Sequence, residues 1–182
     1  MHGEREWNKQ QSKQELLTDL MERHGDMVLR IAYTYAKDRA RAEDLAQEVF
    51  IRCYHSLDSF EERSSYQTWL YRITVNYCKD YVRSWSFRNL IPKSVLPERT
   101  DELGSNVMKE VIQNEEKNVL FDQVLKLSIK YREVVILYYY EDLSVDEVAS
   151  VLDCNSNTVK SRLRRARERL KHLVEGGMIV EE

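Results

Sequence analysis

Residues 143–170 read LSVDEVASVLDCNSNTVKSRLRRARERL, a pattern that predicts two amphipathic helices with a short turn between them. Ser144 is a good N-cap residue, and the apolar residues after it recur at helical spacing. The turn is predicted at residues 153–156, and the second helix that follows has one apolar side and one polar side. Two helices with this spacing are typical of a helix-turn-helix.

The second of these helices concentrates positive charge. The whole chain has 28 Lys and Arg against 31 Asp and Glu, whereas seven of the residues from Lys160 to Lys171 are Lys or Arg and only Glu168 is acidic. Phosphate is the obvious counter-charge. The exposed face predicted near the helix start presents polar groups where the edges of DNA bases would lie: Asn157, Lys160, Ser161 and Arg164. A solvated basic helix without a ligand is the alternative interpretation.

The rest of the chain also has helical periodicity, with only five Gly and two Pro in 182 residues. Three helices are expected in the first half, at residues 14–37, 41–57 and 68–85. The inward positions are Leu16, Leu20, Val28, Ile31 and Tyr35 in the first helix, and Trp69, Ile73, Tyr77 and Tyr81 in the third. Both prolines and a polar stretch then predict a linker. The prediction is an all-α fold of two small helical domains, at residues 1–96 and 118–182, joined by a flexible linker at 97–117.

Aromatic and cationic residues are interspersed between Phe60 and Arg88. Aromatic rings beside Lys and Arg are what unpaired DNA bases and their phosphates require. However, Trp69, Tyr77 and Tyr81 recur at helical spacing, which is equally typical of residues in a hydrophobic core. Composition alone leaves both interpretations open.

The helix expected at residues 41–57 has two stripes. One is apolar and is predicted to be buried: Leu45, Ala46, Val49, Phe50 and Cys53. The other is predicted to be exposed and combines acids, an amide and an isoleucine: Asp44, Gln47, Glu48, Ile51 and His55. Such a surface suits a partner helix that carries cations and one apolar contact. A plain solvated face is the alternative.

No pattern typical of enzymes is found. The chain has no Gly-rich phosphate loop and no nucleophile elbow, and His2, His24, His55 and His172 are scattered. Three cysteines without paired spacing favour neither a disulfide nor zinc. The apolar run Val134–Tyr140 is too short to span a membrane, and the polar start is not a secretory signal. We therefore expect a soluble, intracellular protein that is not an enzyme, binds no metal or cofactor and does not insert into a membrane.

Three motifs, in this order, resemble those of the bacterial extracytoplasmic-function (ECF) sigma factors, the group IV members of the sigma-70 family. They are AEDLAQEVF at 42–50, TWLYRI at 68–73 and NTVKSRLRRAR at 157–167, and the resemblance spans residues 16–173. It implies a sigma-2 domain, a linker and a sigma-4 domain. The implied function is that of a promoter-specificity subunit, which binds core RNA polymerase and directs it to −35 and −10 elements without catalytic residues of its own.

The resemblance also implies roles for individual residues. Core polymerase would be bound through its β′ clamp helices by Asp44, Gln47, Glu48 and Ile51, with the β flap as a further contact. The −10 element would be held by Ser64, Tyr66, Arg72, Asn76, Lys79, Asp80 and Arg83. In the −35 element, bases would be read by Lys160, Ser161, Arg164 and Arg165, and phosphates held by Ser156, Asn157, Thr158 and Arg162. An anti-sigma factor is a further expected partner, and the expected location is the bacterial cytoplasm, with an anti-sigma factor able to hold the protein at the membrane.

A helix-turn-helix regulator that binds duplex DNA without core polymerase is the alternative function. A response regulator would need an α/β receiver domain, and the first half of the sequence has no such pattern. An RNA-binding protein or scaffold that uses only the aromatic and basic segment would leave the basic helix at 157–170 unexplained.

Overall fold

The structure is a computed structural model that describes residues 2–60, 65–88 and 115–178, and these residues form helices and no strand. The first module contains α1 (His2–Ala36), α2 (Arg39–Ser56), a 3₁₀ turn (Leu57–Ser59) and α3 (Tyr66–Arg88). The second module contains α4 (Glu115–Lys126), α5 (Ile129–Val135) with a π-helical turn (Ile136–Tyr140), α6 (Val145–Leu152) and α7 (Ser156–Met178). The all-α fold predicted from the sequence is confirmed.

In the first module, α1 and α2 form an antiparallel pair joined by a tight turn. Lys37 ends α1 with a left-handed φ of 54°, and the Asp38 carboxylate then caps α2 by accepting a hydrogen bond from the Arg41 amide at 2.8 Å. The apolar stripe predicted for α2 is buried, except that Ala46 is half-buried. The predicted inward residues of α1 are also buried, apart from the half-buried Leu16.

The buried face of α3 differs from the prediction. Trp69, Ile73, Tyr77 and Tyr81 are only half-buried. The fully buried positions lie one or two residues further along the chain: Leu70, Tyr71, Thr74, Val75 and Cys78. The reason is that α3 packs against α1 and α2 on one side and against α6 of the second module on the other. Its buried arc is therefore wider than one amphipathic stripe, and it includes the polar side chain of Thr74.

The second module contains the predicted helix-turn-helix. Ser144 caps α6 in a reciprocal capping box with Glu147, and Asp153 ends that helix in the left-handed region at φ 52°. Val148 on α6 packs in one core with Leu163 and Ala166 on α7. The two helices are therefore held at a fixed angle by their shared core.

Arg132 on α5 is buried and joins the two modules. Its Nη2 donates to the carbonyl oxygens of Leu125 and Leu127, at 2.8 and 2.7 Å, where α4 ends. Its Nη1 donates to the carbonyl oxygen of Thr34, near the end of α1. Burial lowers the pKa of Arg132 to about 10. A cation is favoured at these positions because the last carbonyls of a helix carry partial negative charge.

Boundaries that differ from the prediction include the starts of two helices. α1 begins at His2 instead of residue 14, and α4 begins at Glu115, inside the range predicted as linker. Most of that range, with both prolines and the polar stretch after them, lies outside the described residues. Within the described parts of the chain, no helix is both long enough and apolar enough to cross a membrane.

Candidate nucleic-acid and partner interfaces

The start of α7 is held by side-chain hydrogen bonds from the turn before it. Asn155 is the capping residue, and its Oδ1 accepts from the amide of Thr158 at 2.8 Å and from the Thr158 hydroxyl at 2.9 Å. The Ser156 hydroxyl donates to Asp146 Oδ1 on α6 at 2.5 Å. Ser156 and Thr158 are both predicted to hold phosphate. Ser156 therefore also links α7 to α6, while Thr158 also holds the turn before α7.

The outer face of α7 carries the side chains predicted to meet base edges. Asn157, Lys160 and Arg164 are exposed, while Ser161 is half-buried with its hydroxyl donating to the Thr158 carbonyl. Arg164 is 66 % exposed, and Glu168 Oε1 lies 4.0 Å from its Nη1. An ion pair this long and this exposed contributes little stability, so Arg164 is available to a ligand.

The adjacent flank of α7 faces α5. Arg162 Nη1 lies 3.0 Å from Glu133 Oε1, and the Arg169 guanidinium lies 4.8 Å from the centre of the Tyr131 ring. Although burial by itself raises the pKa of Tyr131, the nearby cations Arg165, Lys130 and Arg169 together lower it below its usual value. Arg162 and Arg165, both predicted to contact the −35 element, are thus oriented by neighbours on α5.

An aromatic cluster lies where the chain enters α3. The ring of Phe60 stacks on Tyr66 at 4.4 Å and lies 5.1 Å from the ring of Trp69. Ser65 caps the helix, since its hydroxyl accepts a hydrogen bond from the Thr68 amide at 3.1 Å. Tyr66 is therefore half-buried against other rings, and Ser64 lies outside the described residues.

The remaining residues predicted to hold the −10 element follow one side of α3. Arg72, Asn76, Asp80 and Arg83 are exposed, and Lys79 is half-buried. Asp80 and Arg83 form an ion pair with each other at 2.8 Å. Arg72 donates to the Ser150 hydroxyl on α6, and Lys79 Nζ lies 3.3 Å from Glu133 Oε2 on α5. Two of these cations therefore contact the second module.

The acidic stripe of α2 lies on the surface, as expected. Asp44, Gln47 and Ile51 are exposed, Ile51 to 51 %, while Glu48 is half-buried and lies 3.5 Å from Arg52. Beside the stripe, a cavity of about 250 Å³ opens between α2 and α3, lined by Arg41, Asp44, Leu45, Glu48, Tyr77 and Tyr81. An exposed isoleucine beside acids and an open cavity is a surface suited to a partner helix.

Sequence reasoning missed three residues that organise these surfaces: Asn155, Tyr131 and Glu133. Asn155 lies in the predicted turn, and an Asn directly before a helix is itself a capping signal. Glu133 directly precedes an apolar run, and its burial means that it needs cationic partners. The sequence around Glu133 does not identify these partners, because those in the first module lie about 50 to 100 residues away in the chain.

Comparison with known proteins identifies the family of both modules. The family model described as Sigma-70 region 2 matches residues 20–87, and the model described as Sigma-70, region 4 matches residues 118–170. The chain is 33 % identical to the ECF RNA polymerase sigma factor SigW of Bacillus subtilis, over 87 % of this chain and 88 % of SigW. It is 29 % identical to the ECF RNA polymerase sigma-E factor of Haemophilus influenzae, over 91 % of both chains.

Solved structures agree with the sequence relatives. The sigma factor RpoE of Bartonella quintana, in complex with the anti-sigma factor NepR, superposes with a TM-score of 0.66 and 25 % identity, over 94 % of this chain and 99 % of that chain. CnrH, in complex with the cytosolic domain of CnrY, has the same fold, with a TM-score of 0.65 at 24 % identity over 90 % of both chains. Both domain models and the relatives over most of their length lead to one conclusion: the chain belongs to the ECF sigma factors of the sigma-70 family.

Proposed function

We propose that this protein binds core RNA polymerase and directs it to promoters by contacting a −35 element with α7 and a −10 element with α3. The observation that carries the proposal is the separation of charge between the two modules. α7 presents exposed cations and amides at the end of a fixed helix-turn-helix, and α2 presents an acidic stripe around the exposed Ile51. A protein that only bound duplex DNA would have no use for the second surface.

Contacts at the −35 element divide into two kinds. Lys160, Ser161 and Arg164 face outward from α7, where they would reach the edges of bases in the major groove. Arg165, turned toward Tyr131, would contact the edge of the same groove. Backbone phosphates would be bound by Asn157 and Arg162 together with the hydroxyls of Ser156 and Thr158.

At the −10 element the exposed side of α3 would hold the displaced strand. Arg72, Lys79 and Arg83 would neutralise phosphates, and Asn76 and Asp80 would hydrogen-bond to base edges. A base turned out of the duplex would be captured beside Ser64 and Tyr66. Flipping a base costs a few kcal/mol, which contacts in such a pocket offset.

The acidic stripe Asp44, Gln47, Glu48 and Ile51 would bind the β′ clamp helices of the polymerase, and the second module would contact the β flap. RNA synthesis would be catalysed by the polymerase alone, so this chain would act in the cytoplasm as a non-enzymatic subunit. Because the Bartonella relative was solved with an anti-sigma factor, we propose that an anti-sigma factor also binds this chain, and such a factor could hold it at the membrane.

The test of the polymerase surface is co-elution of the full chain with core RNA polymerase in size-exclusion chromatography. Asp44→Arg with Glu48→Arg reverses two charges spaced four residues apart, and like charges facing across an interface cost several kcal/mol. We expect binding to weaken at least 100-fold while the helical circular dichroism signal is unchanged.

The matched control is Glu15→Arg with Asp19→Arg on α1, which makes the same charge change with the same spacing at one exposed and one half-buried position. Asp19 pairs with Arg23 as Glu48 pairs with Arg52. The control is expected to bind like the wild type. Wild-type affinity in the α2 variant, or equal losses of affinity in both variants, would show that the polymerase does not bind the acidic stripe of α2.

A further inference from the structure

The two modules meet in a polar interface built around two buried carboxylates on α5 and the turn after it. The side chains of Glu133 and Glu141 are only 5 % and 4 % exposed. Burial of a carboxylate is unfavourable unless cations and hydrogen-bond donors surround it. Both carboxylates obtain such partners from the first module.

Both carboxylate oxygens of Glu141 accept hydrogen bonds from side chains of the first module. Arg30 on α1 donates from Nε to Oε1 at 2.6 Å and from Nη2 to Oε2 at 3.1 Å, a two-bond pairing of guanidinium and carboxylate. The Tyr71 hydroxyl on α3 donates to Oε2 at 3.0 Å. These side-chain bonds exist only while the modules are in contact, so Glu141 binds the first module without taking part in either candidate DNA surface.

Glu133 connects the same interface to α7. Its Oε1 holds Arg162 of α7 at 3.0 Å, while its Oε2 accepts from the Tyr35 hydroxyl at 3.1 Å and lies 3.3 Å from Lys79 Nζ. One carboxylate therefore contacts a cation proposed to bind the −35 element and a cation proposed to bind the −10 element. Arg72, also proposed for the −10 element, donates to Ser150 of the second module.

This arrangement is incompatible with a bound promoter. The two elements lie about 25 base pairs apart, which is about 85 Å along a duplex at about 3.4 Å per base pair. While Lys79 and Arg162 both contact Glu133, Lys79 cannot lie on the −10 element at the same time as Arg162 lies on the −35 element. The chain between Arg88 and Glu115 has 26 residues, and fully extended it would span about 90 Å. Separation of the modules by the required distance is thus compatible with the chain length.

We infer that the free protein has a closed state, locked by Glu141 on Arg30 and Tyr71, in which contacts between the modules occupy promoter-binding side chains. The occlusion of DNA rests on the proposed function of Arg72 and Lys79, whereas the lock itself rests on the contacts of Glu141. Opening exposes two carboxylates to water and frees Arg72 and Lys79. Arg162 can stay paired with Glu133, because both residues lie in the second module. Promoter binding therefore competes with the lock.

The experiment uses the full chain in small-angle X-ray scattering and a labelled 20-base single-stranded DNA of mixed sequence. A compact chain of 182 residues has a radius of gyration of about 16 Å. We expect a value near this for the wild type and a clear increase for Glu141→Gln, which keeps the shape of the side chain and removes its charge. Loss of a charge-assisted hydrogen bond is expected to favour opening about tenfold, and DNA affinity should rise by a similar factor.

Glu175→Gln is the matched control, because it removes the same charge from an exposed position on α7. It should leave the radius of gyration unchanged and raise DNA affinity only slightly. A charge exchange supplies a second test: Arg30→Glu and Glu141→Arg should each expand the chain, and the double variant should be compact again. Circular dichroism on each variant identifies any that fail to fold.

Three results would overturn the inference: an extended wild type, a compact Glu141→Gln variant, or no recovery in the double variant. If the Glu141→Gln variant expanded without a gain in DNA affinity, the inference that the closed state blocks DNA binding would be wrong. Polymerase binding by the wild type is measured separately. Its absence would refute the proposed function, while the scattering data would still decide whether the lock exists.

Discussion

Replacement of Arg164 by alanine tests the orientation of α7 on DNA. The side chain is 66 % exposed, and the carboxylate of Glu168 is 4.0 Å away. An exposed pair of this kind contributes at most about 1 kcal/mol, and alanine is the best helix former, so the fold should be almost unaffected. The loss is therefore expected in DNA recognition alone.

The expected magnitude follows from the chemistry of base reading. An arginine that donates two hydrogen bonds to a guanine provides about 1 to 3 kcal/mol of discrimination, which corresponds to a factor of about 5 to 150 in affinity. Because Arg164 would meet one base pair, the variant should lose its preference at one position of the −35 element and keep its preferences at the others.

The assay is transcription by core polymerase with this chain, on a promoter that it uses and on all single-base variants of the −35 element. Lys171→Ala is the control, since it also removes one exposed positive charge, seven residues or about 10.5 Å further along α7. The control should weaken all promoters slightly and equally. If Arg164→Ala retained every base preference, or if Lys171→Ala lost as much, the orientation inferred for α7 would be wrong.

Three further predictions concern the fold around the surfaces. Ser144→Ala removes the cap of α6 and should lower the free energy of unfolding by about 1 kcal/mol in urea titration, whereas an unchanged value would mean that the capping box contributes nothing. Tyr131→Phe removes the hydroxyl next to Arg165 and should weaken −35 duplex binding about 2- to 10-fold; unchanged affinity would show that Arg165 needs no such partner. Burial raises the pKa of the Cys53 and Cys78 thiols to about 12, so at pH 8 iodoacetamide should modify Cys154 first, and rapid labelling of all three would contradict the described core.

The parts of the fold that depend on local pattern could be predicted from the sequence. The capping signal at Ser144 and the spacing of apolar residues on α7 gave the helix-turn-helix, because these features depend on residues within a few turns of each other. The exposed stripe of α2 was predictable for the same reason. Its isoleucine is visible in the sequence as an apolar residue on a polar face.

The interface between the modules could not be predicted. Arg30 and Glu141 are 111 residues apart in the chain, and nothing in the local pattern of either residue identifies the other. The same interface explains the error in the buried face of α3. Tyr71 was not among the predicted inward residues, but it is buried because it lies against the second module.

The central claim is tested most directly by multi-round transcription with core bacterial RNA polymerase, with and without this chain, on sheared genomic DNA from its own source. Transcript 5′ ends are sequenced. We predict defined start sites that appear only with the chain and share sequence elements near −35 and −10. DNA binding by the chain alone, without any chain-dependent start site, would contradict the claim and favour a helix-turn-helix regulator that acts without polymerase.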